Sequence, residues 1–195
     1  MQYQNLADMF FRRAADFAGK PRYRVKRDGR WVEVSWDEHA RAVEEIAAGL
    51  IAAGVAPGTK VALLSGTRPE WMEIDFGILA AGAVTIPIYP SNLPDECGYI
   101  LWNSESSYCF VENAAQLKKI HKVTEQGFEL DGRRIRERPE RRCCGAPAEA
   151  SEGAKASRAG VVCRLIGHHI SLLIVPPRPA ASPGKAAPPE KRSAE

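Results

Sequence analysis

An α/β fold is the class this sequence predicts: a mainly parallel sheet flanked by helices, with a β-hairpin ahead of it and a disordered C-terminal tail behind. Three observations predict it. From Lys60 to Ile120, short apolar or β-branched runs alternate with helical patterns, which implies right-handed crossovers between parallel strands. The first of these runs, KVALLS (Lys60–Ser65), is apolar throughout its middle, as a strand covered on both faces requires. All fifteen Phe, Trp and Tyr residues lie at or before Phe128, so material for a core is concentrated in the first two-thirds of the chain.

The elements follow in order. Leu6, Met9, Phe10, Ala14 and Phe17 recur at helical spacing, with Asn5 placed as N-cap and Gly19 just past the end. YRVKRDGRWVEV reads as a hairpin in which Asp28-Gly29 supplies the two positive-φ positions of a type I′ turn. That register sets Val25 opposite Val32, Tyr23 opposite Val34, and Arg24 opposite Glu33. A long helix over 36–53 opens on a Ser35/Glu38 capping box and buries Val43, Ile46, Ala47, Leu50 and Ile51, with Gly54 as its stop. After the strand Lys60–Ser65, Thr67 and Glu70 read as a second capping box for the helix EWMEIDFGILAAG. AVTIPIY is the next strand, Asn92 is placed to cap PDECGYILWNS, Tyr108–Glu112 is a third strand, and Asn113 caps AAQLKKI.

Composition changes beyond Gln126. Of residues 136–195, Ala, Arg, Pro and Gly make up 32 of 60, the mixture that GC-rich codons give when read in a foreign frame. Residues 1–130 carry 14 Lys/Arg against 17 Asp/Glu, whereas 131–195 carry 13 against 7, so the positive net charge belongs to the tail. Its apolar island, VVCRLIGHHISLLIV (Val161–Val175), is too short and too polar to cross a membrane. Met1–Phe17 has charges throughout and lacks the core of a signal peptide. The five cysteines are odd in number and irregularly spaced, which points to a reducing cytoplasm rather than a secreted disulfide framework.

Each candidate chemistry has a plainer reading. LLSGTRPEW could aim loop amides at a phosphate, but it has one glycine and no following Lys-Ser/Thr. Cys143, Cys144, Cys163, His168 and His169 lack the two-to-four-residue steps of a zinc site. The basic run Arg133–Arg142 carries no aromatic platform, so no specific nucleic-acid partner is expected. His39 has no carboxylate partner legible in the sequence, His121 sits at a helix end, and Glu73 and Asp75 read as solvent-facing charges. No catalytic, cofactor-binding or metal-ligating residue is nominated.

The order of segments carries more than any one motif. Ser35-Trp36 precedes the long helix, Pro57-Gly58-x-Lys60-Val61-Ala62 precedes LLSGTRPEW, and GAVTIPIYP follows. In that order and spacing, residues from about Leu6 to Phe128 resemble the amino-terminal part of AMP-forming acyl-CoA synthetases, especially the long-chain fatty-acid type. The resemblance implies a parent reaction in which a fatty carboxylate attacks the α-phosphate of Mg-ATP and coenzyme A thiol then displaces AMP. It also implies that residues 1–128 are a partial N-terminal region of such a ligase domain, with 129–195 a separate, disordered tail. The family's Pro-Lys-Gly phosphate loop, nucleotide motifs, acyl pocket and catalytic lysine lie downstream of the matched region and have no counterpart here. The expectation is therefore a truncated fatty-acid–CoA ligase, inactive alone and needing no cofactor itself, although its parent family takes ATP, Mg and CoA. The alternative is a small non-catalytic binding or regulatory module whose basic tail makes peripheral contact with an anionic membrane surface. The oligomeric state is not predicted.

Overall fold

The computed structural model describes residues 2–126, 128–130, 133–135 and 171–175. Helix α1 (Leu6–Asp16) leads into an antiparallel hairpin, β1 (Pro21–Arg27) and β2 (Arg30–Ser35), and then α2 (Trp36–Ala52). The layered part follows: β3 (Lys60–Leu64), α3 (Pro69–Ala80), β4 (Val84–Ile88), α4 (Pro94–Asn103), β5 (Tyr108–Val111) and α5 (Ala114–Gln126). Short strands β6 (Phe128–Leu130) and β7 (Arg133–Ile135) pair with each other, and β8 (Ser171–Ile174) closes the series.

Much of this is local chemistry. Asn5 Oδ1 accepts from the Asp8 amide at 2.8 Å and caps α1. Asp28 and Gly29 both have positive φ, 49° and 79°, so the hairpin closes with a two-residue turn whose twist matches its strands. Val25 faces Val32, Tyr23 faces Val34 and Arg24 faces Glu33, the expected register. The capping box of α2 forms in both directions: Ser35 Oγ accepts from the Glu38 amide, and Glu38 Oε2 accepts from the Ser35 amide at 2.8 Å.

In the main sheet the strand order is β4-β3-β5-β8, with β3 parallel to both β4 and β5. Alternation along β3 sends Val61 and Leu63 to one face and Ala62 and Leu64 to the other. Ile46, Leu50, Ile74 and Ile78 of α2 and α3 bury the first pair. Cys97, Leu101, Ile120 and Val123 of α4 and α5 bury the second. Helices α2 and α3 approach so closely that a Cβ on Gly77 would overlap the Ile46 side chain.

Several details differ from the sequence reading. Pro69 occupies the first turn of α3, so the N-cap falls on Arg68, not Thr67, and no side chain caps it; the Glu70 carboxylate instead accepts from Arg68 Nε at 2.7 Å. Pro94 likewise moves the N-cap of α4 from Asn92 to Leu93, and only half a capping box forms, Glu96 Oε2 accepting from the Leu93 amide at 2.8 Å. Proline prefers the first helical position, and that preference overrides the nearby Thr and Asn. Ile51 is 60% exposed, one step beyond the buried stripe of α2. Helix α5 continues to Gln126 because Val123 extends its buried face, which leaves His121 inside the helix, 3.8 Å from Glu125. Three short strands fall within the stretch whose composition predicted a tail. Of these, β8 pairs antiparallel with β5, setting Leu172 opposite Phe110, and Leu172 and Val175 are buried in the two layers.

Candidate functional site

Parallel strands β3, β4 and β5 point their carboxyl ends the same way. Helix α3 leaves β3 toward one face, and α5 leaves β5 toward the other. Neighbouring strands whose connections diverge leave a crevice at their carboxyl ends, where open α/β sheets take ligands. Here that crevice lies between β3 and β5. It opens into a cleft of about 700 Å³ bounded by the hairpin end (Val25 to Asp28) and by the segment from Gly66 to Glu70.

Glu112 fills the crevice from within. Its Oε2 accepts from the Gly66 amide at 2.7 Å and from Ser65 Oγ at 3.3 Å. Asn113 Nδ2 donates to Oε1 of the same carboxylate at 3.2 Å. The loop amide that could greet an anion therefore already has one. Arg68, which lines the cleft, is bound to Glu70, and that bond raises its pKa. On the β4 side, Lys119 Nζ donates to the carbonyls of Pro90 (2.6 Å) and Asn92 (2.8 Å), which ties the next loop to α5.

The remaining sequence candidates are scattered. His39 is fully buried, beside the rings of Phe10, Tyr23 and Phe76. Neither of its ring nitrogens finds a hydrogen-bond partner among the described residues. Burial first, and then the Arg22 charge, lowers its pKa to about 4, so it is neutral at pH 7 and serves as part of the packing. Glu73 does not face solvent: it is buried and accepts from Tyr23 Oη at 3.0 Å. That arrangement raises the Tyr23 pKa, through burial and then the Glu73 charge. Cys97 and Cys109 are free, buried and raised in pKa by burial, which leaves their thiols protonated and unreactive. Among the described residues no cluster of three His, Cys, Asp or Glu could hold a metal ion. The Cys143, Cys144, Cys163, His168 and His169 set lies outside the described residues, as does the basic run beyond Ile135.

Sequence reasoning missed Glu112. It appears only as the residue after a strand, and its partner is 46 positions away. The crevice is of mixed charge: Glu70 and Glu112 border it with the Gly66 amide and Arg68 engaged, while Lys26 and Arg27 of the hairpin line its outer side.

Fold and crevice together define an open α/β domain of the class that binds ligands at the carboxyl edge of a parallel sheet. The match to known proteins goes further. Residues 10–179 match the model of the AMP-binding enzyme family, and the chain belongs to that family. It is 38% identical over 123 residues to the long-chain-fatty-acid–CoA ligase FadD15 of Mycobacterium bovis, a match covering 63% of this chain and 20% of that protein. It is 35% identical over 96 residues to the ligase heimdall of Drosophila melanogaster, covering 49% and 14%. Among solved structures it is similar to the fatty acyl-adenylate ligase of L. pneumophila, seen in complex with acyl adenylate and pyrophosphate. That likeness has a TM-score of 0.54 and 27% identity, and covers 61% of this chain and 21% of the other. The N-terminal domain of FACL13 from Mycobacterium tuberculosis gives a TM-score of 0.55 at 25% identity, covering 63% and 30%. The chain thus matches about a fifth of the length of its curated relative FadD15. Among the described residues no helix is long and apolar enough to cross a membrane.

Proposed function

We propose that these residues are scaffold from an AMP-forming long-chain fatty-acid–CoA ligase and that the 195 residues alone do not catalyse adenylation. The parent reaction joins a fatty acid to CoA at the expense of ATP, giving AMP and diphosphate, with Mg on the phosphates. The family match supports the assignment. The observation that supports the inactivity is the Glu112 carboxylate on the Gly66 amide: an internal anion already takes the loop donor that would otherwise face a phosphate.

In this reading residues 1–128 form part of the N-terminal region of the ligase domain. Residues 129–195 are a distinct segment that returns Ser171–Ile174 to the edge of β5. A cytoplasmic, reducing location is part of the same proposal, since Cys97 and Cys109 are both free.

The test is ATP–pyrophosphate exchange, with the purified chain, a long-chain fatty acid and Mg. No exchange above the buffer background is expected. Fatty-acid-dependent exchange by the pure chain would overturn the inactivity.

A further inference from the structure

The main sheet has two edges, and the chain treats them differently. At one edge, β4 pairs with β3 alone among the described residues. The Val84 amide donates to Thr59 O at 2.9 Å, so the alternate residues Ile86 and Ile88 also turn their amides to β3. Thr85 and Pro87 then face outward, and Pro87 has no N–H to offer. Thr85 is the single outward donor of this strand, so the β4 edge is blunted by its own sequence.

The β5 edge carries no such device. Tyr108–Val111 contains neither a proline nor a charged residue. The Glu112 amide donates to Leu64 O at 3.2 Å, which turns Phe110 to β3 and leaves the amides of Cys109 and Val111 facing outward. Cys109, Phe110 and Val111 are all buried, so this edge is apolar on both faces and keeps every donor and acceptor. Such an edge is a template for any strand that meets it. Here β8 lies along it, with Leu173 opposite Cys109 and Leu172 opposite Phe110. Just past the strand, the Val175 amide donates to Ser107 O at 2.7 Å. Leu172 is buried in one layer of the core and Val175 in the other, so side chains on both faces hold the segment in place.

We infer that Ser171–Val175 is a guard strand: it occupies the β5 edge and so denies it to the β5 edge of a second copy of this chain. A second copy fits because the bare edge is self-complementary. Two β5 strands can pair antiparallel about a two-fold axis, each Cys109 set opposite the other copy's Val111, with donors and acceptors matched. The apolar island of an otherwise polar tail thereby gains a role, which is to keep the domain single. This role goes beyond the ligase reading, and it is tested without ATP or fatty acid.

The experiment compares the full chain with two variants by sedimentation velocity and hydrogen exchange. Leu172→Asp places a charge in a buried position opposite Phe110. Leu173→Pro removes a backbone donor from the ladder while keeping Leu172. Wild type should run as a monomer with the Cys109 and Val111 amides protected. Each variant should lose that protection when dilute and regain it as concentration rises and the mass doubles or more. The amides of β3, held between β4 and β5, should stay protected throughout. A peptide spanning His168–Pro177 should return the variants to monomers, and a shuffled peptide should not. Four results would overturn the inference. The variants could stay monomeric, associate with the β5 amides still exchanging, or ignore the peptide. Loss of β3 protection along with β5 would make β8 a part of the core rather than its guard.

Discussion

Around the main sheet, most buried contacts join aliphatic side chains, with the Phe110 ring among them: Ile46, Leu50 and Ile78 on Val61 and Leu63 in one layer, Leu101 and Ile120 on Leu64 and Val111 in the other. Around the base of the hairpin they join rings and charges. Phe10 stacks on Phe76 at 4.5 Å, the Arg22 guanidinium lies 4.2 Å from the Trp36 ring and 4.8 Å from Phe10, and His39 sits among them. Arg22 Nη1 and both His39 nitrogens have no hydrogen-bond partner among the described residues. The sheet layers thus gain from apolar burial that pH does not touch. The aromatic cluster combines apolar burial with cation–π attraction, and it contains a titratable group that must stay neutral. One chain is held together by two kinds of chemistry, and conditions can separate them.

Substitutions and pH give ways to break that comparison. The largest effect should come from the sheet: Phe110→Ala removes a fully buried ring from the layer that packs α2 and α3 on the sheet and should cost roughly 3–5 kcal/mol in urea unfolding, independently of pH between neutral and mildly acidic.

Acid should act on the cluster instead. His39 has its folded pKa depressed from 6.5 to about 4, so the unfolded chain binds the proton more tightly. Above pH 6.5 this costs nothing. As pH falls from 6.5 toward 4 the native state loses stability, by roughly 3 kcal/mol in all, and below 4 the loss levels off. His39→Leu should flatten that part of the stability curve, and an unchanged slope would refute the assignment to His39.

Between the two regions stands the α2–α3 contact. Gly77→Ala forces a methyl into Ile46 and should cost about 1–3 kcal/mol by overpacking; a neutral result would mean the helices can part freely. Smallest is Ser35→Ala, which removes the cap of α2 for about 1 kcal/mol. If the hairpin and α2 melt as one unit, it should lower the hairpin's own transition equally, which hydrogen exchange can read.

Local chemistry explains which features could be read in advance. The hairpin register, the Ser35/Glu38 box, the Asn5 and Asn113 caps and the alternation of strands and helices each depend on residues a few positions apart. Where two local signals competed, as with Thr67 against Pro69 and Asn92 against Pro94, the proline set the helix start because its ring fixes φ. The family resemblance was also legible, since it lies in the order of these same segments.

Packing decided the rest. Glu73 looked like a surface charge until the hairpin folded over α3 and gave it the Tyr23 hydroxyl, 50 positions away. His39 is buried by rings from α1, β1 and α3 that no stretch of α2 announces. The crevice carboxylate, Glu112, reaches Gly66 only because β3 and β5 lie side by side. By itself, then, the sequence determined which segments up to Gln126 become helices and strands, because propensities, caps and turns act over a few residues, whereas β8 is a strand only through its pairing with β5. Only the tertiary structure decided which charges are buried and which loop amide is filled, because those depend on contacts between segments far apart in the chain.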